Sequence, residues 1–175
     1  FKCSSLTNVS IPASVTIMAV KAFFGCTSLT NVTIGDSVTS ISDSAFYLCS
    51  SLTNVTIGMS VTSISDSAFR GCTSLKTVSI PDFVTIIGRG AFSKCTSLKT
   101  VSIGNSVTSI RSSAFSYCTS LINVTIPDSV TSIGSDAFKS SGITDIHLTE
   151  NAIAARKFDL NTLNKNINGK VQFRG

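Results

Sequence analysis

Apolar positions recur along this chain in a fixed order. Leu-x-x-Val-x-Ile comes first, then Val-x-x-Ile, then Ala-Phe, and the whole returns every 23 residues. The first set reads Leu6, Val9 and Ile11, then Leu29, Val32 and Ile34, and it continues to Leu121, Val124 and Ile126. Ile143, Ile146 and Leu148 occupy the same places once more, one residue early. Leu-x-x-Val-x-Ile ends in a period-2 alternation of β-branched residues, which predicts a short strand with one buried face. Pro or Gly follows, at Pro12, Gly35, Gly58, Pro81, Gly104 and Pro127, and turns the chain. Val-Thr-x-Ile predicts a second short extended stretch. Ala-Phe-x-x-Cys is compact, and we expect a single helical or 3₁₀ turn. A period of this size means stacked coils, each too small to bury its own apolar face alone. Six to seven coils at about 4.8 Å each make a rod roughly 30 Å long.

The cysteines mark the register: Cys3, Cys26, Cys49, Cys72, Cys95 and Cys118 stand one period apart. An even cysteine count suggests disulfides. Stacking by translation argues otherwise, because it holds neighbouring Cβ atoms about 4.8 Å apart, beyond the usual 3.5–4.5 Å. A row of thiols does not converge on a metal either, since a tetrahedral site needs converging ligands. We therefore expect no disulfide and no metal, but free thiols packed as small apolar groups.

The stretch from Cys26 to Phe46, Cys-Thr-Ser-Leu-Thr-Asn-Val-Thr-Ile-Gly-Asp-Ser-Val-Thr-Ser-Ile-Ser-Asp-Ser-Ala-Phe, resembles a leucine-rich repeat of the BspA-like subtype. The resemblance extends over residues 1–148. It implies an α/β repeat solenoid of mostly short β-strands and turns. The implied shape is a right-handed leucine-rich-repeat horseshoe, with one parallel sheet on the concave face and short extended segments on the other side. It also implies adhesion or protein-binding roles at the cell surface or in secreted form, and no enzyme activity. On this reading residues 1–148 are the solenoid, beginning in mid-repeat, so the chain is expected to be a piece of a longer protein.

The pattern fails at Ser141, where the next cysteine is due. Residues 149–175 are expected to form a divergent terminal coil or cap, in preference to a linker. Within them, residues 150–158 have helical propensity. Lys170-Val-Gln-Phe173 alternates like a final strand, placing Val171 and Phe173 as a last rung beside Ile146 and Leu148.

Composition narrows the function. Only 13% of residues are charged, so Ser, Thr and Asn must carry the solvation. The net charge of +5 is +3 in residues 149–175 and thinly spread elsewhere, without the basic stripe and aromatic platforms of a nucleic-acid binder. No apolar run approaches the length of a membrane span. The single histidine, His147, has no nucleophile fixed beside it by any motif. Asp36, Asp82 and Asp128 share a turn column two coils apart, roughly 10 Å, too far to share a proton or a calcium ion. No catalytic residue and no cofactor is expected.

What remains is the outward face of the first strand. One column there holds Asn8, Asn31, Asn54, Thr77, Thr100, Asn123 and Asp145, and the next runs from Ser10 to Thr125 and His147. Lys76 and Lys99 stand beside it. Asn8, Asn31, Asn54, Lys76, Thr77, Lys99, Thr100, Asn123, Asp145 and His147 are therefore the candidate ligand-binding residues, for a protein or glycan partner. Asn8, Asn31, Asn54 and Asn123 also lie in Asn-x-Ser/Thr sequons, open to glycosylation in a eukaryotic secretory pathway. The rival reading is a structural spacer with no ligand of its own. An unbroken threonine column, Thr16 to Thr131, resembles an ice-binding ladder but lacks a Thr-x-Thr array.

Overall fold

A computed structural model of the chain describes residues 3–148 and 170–173. The expected helix in residues 150–158 lies outside them. The coils stack in parallel on strands of two lengths, and five of the described coils carry both. The longer are β1 (Asn8–Ile11), β2 (Asn31–Ile34), β4 (Asn54–Thr56), β6 (Thr77–Ser79), β8 (Thr100–Ser102), β10 (Asn123–Ile126) and β12 (Asp145–Leu148). The shorter, two residues each, are β3 (Ser40–Ile41), β5 (Ser63–Ile64), β7 (Ile86–Ile87), β9 (Ser109–Ile110) and β11 (Ser132–Ile133). β13 (Lys170–Phe173) pairs with β12, setting Val171 opposite Ile146 and Phe173 opposite Leu148. No described residue lies in a helix.

Pairing follows the period: Asn8 opposes Asn31, Val9 opposes Val32, and Ser63 opposes Ile86. Between residues 26 and 138 every interior column therefore stacks like on like. Phe23, Phe46, Phe69, Phe92, Phe115 and Phe138 form one pile, with centroids 5.1–5.6 Å apart and planes within 7° of parallel. Offset stacks of this spacing are favourable beyond the area they bury. Cys26, Cys49, Cys72, Cys95 and Cys118 are buried and free, while Cys3 is free and exposed. The thiols have a use that spacing alone did not reveal. Sγ of Cys49, Cys72, Cys95 and Cys118 donates to the carbonyl of Phe23, Phe46, Phe69 and Phe92, at 3.1–3.2 Å. Ser141 takes the next position but turns its hydroxyl to Phe138 of its own coil, at 2.6 Å.

The Ala-Phe-x-x-Cys segment is compact, but a run of turns replaces the expected helical or 3₁₀ turn. Alternate N–H groups close local turns, as from Phe24 to Lys21 and from Cys26 to Phe23. The intervening N–H groups of Lys21, Phe23 and Gly25 donate instead to Asp43, Ala45 and Tyr47 of the next coil. That alternation requires left-handed residues at two places per coil. They are Lys21, Ser44, Ser67, Gly90, Ser113 and Asp136 before alanine, and Gly25, Leu48, Gly71, Lys94, Tyr117 and Ser140 before cysteine or Ser141.

The shorter strands form one continuous five-stranded sheet from β3 to β11. The longer strands do not form a single sheet. They fall into three segments, β1-β2-β4, β6-β8 and β10-β12-β13, with no ladder between β4 and β6 or between β8 and β10. The residue after each strand accounts for the breaks. Gly35 nests so closely on the preceding coil that a Cβ there would sit 2.6 Å from the carbonyl oxygen of Ile11. Gly58 and Gly104 press still closer, on the carbonyls of Gly35 and Pro81. Each of these three junctions keeps its ladder. At the two broken junctions the incoming residue is Pro81 or Pro127, which has a Cβ and lacks the N–H for a ladder bond.

Candidate functional site

The two breaks open the strand face. A groove of about 1050 Å³ runs along the carboxyl ends of β4, β6, β8 and β10 and crosses both proline junctions. Thr56, Ser79, Ser102 and Thr125 supply its hydroxyls, and Asp82, Asn105 and Asp128 line its turn side. Its floor is apolar, and the interior columns show why. Ile34 and Ile80 are 2% exposed and Ile126 is 0%, whereas Ile57, Val101 and Ile103, on the coils preceding the breaks, reach 7%, 8% and 9%. The edge of the core thus reaches the groove floor on these coils.

The aspartates are held by the coil spacing. Oδ1 of Asp82 accepts the N–H of Asn105 at 2.8 Å, and Asp36 does the same for Met59. On the second face Asp43 accepts from Asp66, and Asp66 from Arg89. A carboxylate at these turns ties one coil to the next. Among the described residues, no group of three His, Cys, Asp or Glu side chains could hold a metal.

The ten residues singled out from sequence occupy the same strands but stand outside the groove lining. Asn8, Asn31 and Asn54 are in register and exposed, and their amides form a ladder. Nδ2 of Asn31 donates to Oδ1 of Asn8 at 2.7 Å and to Oγ1 of Thr30 at 3.0 Å. Asn54 repeats this with Asn31 and Thr53. Both amide protons of each are thereby engaged. Thr77 opposes Thr100, and Asn123 opposes Asp145. Lys76 and Lys99 are exposed on adjacent coils at the opposite end of the strands from the groove. His147 opposes Thr125, as the alignment requires, but is only half exposed. Its Nδ1 is buried with no hydrogen-bond partner among the described residues. The threonine column of the other face is also internally occupied, since Thr62, Thr85, Thr108 and Thr131 each donate to the carbonyl of the threonine one coil before, at 3.0–3.2 Å.

Sequence reasoning placed Thr56, Ser79, Ser102 and Thr125 on the solvent face but not in the site. The missed signal was proline following glycine at one position of successive coils.

The comparisons with known proteins agree with this geometry. The family model described as BspA type leucine-rich repeat region, six copies, matches residues 1–118 and 39–166. A leucine-rich cell surface protein from Faecalibacterium prausnitzii superposes with a TM-score of 0.75 at 43% identity, over 83% of this chain and 40% of that one. The leucine-rich repeat protein of T. pallidum gives 0.60 at 28% identity, over 82% and 59%. The pneumococcal vaccine antigen PcpA gives 0.68 at 18% identity, over 96% and 41%, a likeness of fold alone. The chain thus spans less than two thirds of each of these structures. A search among curated proteins found no match. Repeat period, parallel register and matched family model lead to one assignment: the chain belongs to the BspA-type leucine-rich repeat family.

Proposed function

We propose that the chain is a non-enzymatic binding module of a cell-surface or secreted protein, and that it recognises a protein or glycan partner with its longer-strand face. The carrying observation is the groove, a concavity with hydroxyls, carboxylates and an apolar floor on the one face whose sheet is interrupted. Such sites are concave and mostly apolar with a few polar groups. Surface display is supported by the F. prausnitzii structure, which is described as a cell surface protein. A binding rather than catalytic role is supported by carboxylates committed to neighbouring coils. The spacer reading has its own support in the asparagine ladder, which satisfies itself without a ligand.

Adhesion of the chain to host matrix or cells separates the two. One variant replaces Thr56, Ser79 and Ser102 with alanine, and a second replaces Asn54, Lys76 and Lys99. Loss of adhesion in either variant supports recognition through this face. Unchanged adhesion in both sinks it and leaves the spacer.

A further inference from the structure

The shorter-strand face carries a different constellation. Arg89 and Arg111 line one cleft of about 300 Å³, together with Ser109, Ser112, Ser132 and Asp66. The period brings them together. Ser112 lies one period after Arg89, and Arg111 precedes Ser112, so the two arginines stand on adjacent coils, one column apart. The coils on either side of Arg111 have glycine in its column, Gly88 and Gly134. Each glycine nests on the coil before it. A Cβ would sit 2.5 Å from the carbonyl carbon of Ser65 at Gly88, and 2.4 Å from the nitrogen of Ser112 at Gly134. No side chain in that column fills the space beside Arg111, and a cleft lies on each side of it. The second cleft, about 330 Å³, is lined by Arg111, Asp43, Asp66, Ser63 and Ser65.

Copying of the repeat does not account for these arginines. Arg89 follows Asp43 and Asp66 in its column, and Arg111 follows Ser42, Ser65 and Gly88. Both are exposed, and among the described residues neither guanidinium enters a hydrogen bond or an ion pair; the ion pair found there joins Lys139 to Asp136. Two cations lining one cleft repel each other, and an anion seated between them is attracted by both. Asp66 lines the same cleft without pairing with either side chain, and its Oδ1 accepts the backbone N–H of Arg89 at 2.7 Å.

The side chains select the ligand. A guanidinium holds a carboxylate through two parallel hydrogen bonds. Serine hydroxyls both donate and accept, whereas the Asp66 carboxylate only accepts. Asp66 therefore suits a hydroxyl group and disfavours phosphate, which carries up to about two negative charges. A ring with one carboxylate and several hydroxyls satisfies all of these groups. We propose that the cleft binds a carboxylated sugar of a glycan, with its carboxylate on Arg89 and Arg111 and its ring hydroxyls on the serines and Asp66. A neutral sugar next to it occupies the second cleft, where Asp43 and Asp66 outnumber Arg111. This site is separate from the groove and does not depend on recognition there.

The test is a titration of the isotopically labelled chain, followed by amide chemical shifts. Four probes are used: a hyaluronan tetrasaccharide, which alternates uronate with a neutral sugar, 3′-sialyllactose, neutral chitotetraose, and inorganic phosphate. The expected result is that the hyaluronan fragment shifts Arg89, Arg111 and Ser112. Its affinity should fall about tenfold or more in Arg89→Gln/Arg111→Gln, the usual cost of lost hydrogen bonds to a charged group, with the circular dichroism spectrum unchanged. It should not fall in Lys99→Gln, which removes a charge from the other face. Binding of sialyllactose in place of hyaluronan, with the same loss in the arginine variant, also supports a carboxylated sugar and changes only its source. Equal affinity in the arginine variant overturns the proposal. So does binding of chitotetraose or phosphate as tight as that of the acidic sugars, or the absence of any shift at these residues with all four probes.

Discussion

The thiols of Cys49, Cys72, Cys95 and Cys118 are coil-to-coil hydrogen-bond donors before they are anything else. Burial removes the solvent that would stabilise a thiolate, and it pushes Cys49 and Cys118 up from 9.0 to about 12, with Cys72 and Cys95 raised well above the ordinary value. An unfolded chain releases those protons near pH 9, whereas the folded chain holds those of Cys49 and Cys118 to about pH 12 and those of Cys72 and Cys95 well above pH 9. The folded state therefore binds more protons across this window, and the stability gained, complete below pH 9, is lost as pH rises toward 12. Urea midpoints measured at pH 8 and pH 10 should show the fall, and a variant with the four thiols changed to alanine should show less of it. Under native conditions iodoacetamide should modify Cys3, the exposed thiol, ahead of the five buried ones. Asparagines differ in a parallel way. A glycan on Nδ2 of Asn31 or Asn54 would take the place of one of the two amide protons that are engaged in hydrogen bonds there. If the chain is secreted from a eukaryotic host, mass spectrometry should find Asn123 occupied ahead of Asn31 and Asn54.

At the scale of the element, one residue after each longer strand decides whether two coils join. Gly104→Ala would drive a Cβ into the Pro81 carbonyl, with backbone on both sides and no flexible side chain to give way. A loss of about 1–3 kcal/mol, the usual range for overpacking, is expected from urea unfolding. Pro81→Gly should act in the opposite sense on the ladder: hydrogen exchange should reveal a newly protected amide at position 81 and slower exchange in β6. These elements were unequally legible. The apolar columns, the strand positions and the like-on-like register follow directly from spacing, because a translation of one period leaves no freedom in what faces what. The groove was not legible, because glycine and proline both signal a turn, and their difference matters only once another coil lies beneath. The turns were obscured for a related reason. Gly25, Gly71 and Gly90 advertise a positive φ, but Ser44, Leu48, Lys94 and Tyr117 adopt the same conformation under tertiary bonding and give no sign of it. The amide ladder on Asn8, Asn31 and Asn54 likewise depends on side-chain direction, which a list of outward positions does not contain.

For the whole molecule, stability is a sum over neighbouring coils. Phe69 stacks on Phe46 and on Phe92, while among the described residues Phe138 stacks on Phe115 alone. Phe69→Ala should therefore cost about 3–5 kcal/mol, in the usual range for a deleted core phenylalanine, and Phe138→Ala less. Equal losses in urea melts would mean that the pile contributes nothing beyond each ring's own burial. The two faces also differ in a way that bears on mechanics. The five-stranded sheet is bonded without interruption from β3 to β11, so that side has a fixed length, like the spine of a book. The opposite side is bonded in three sections and can lengthen or shorten at Pro81 and Pro127 without breaking a ladder. A load that bends the stack is then concentrated at two hinges, and both open into the groove.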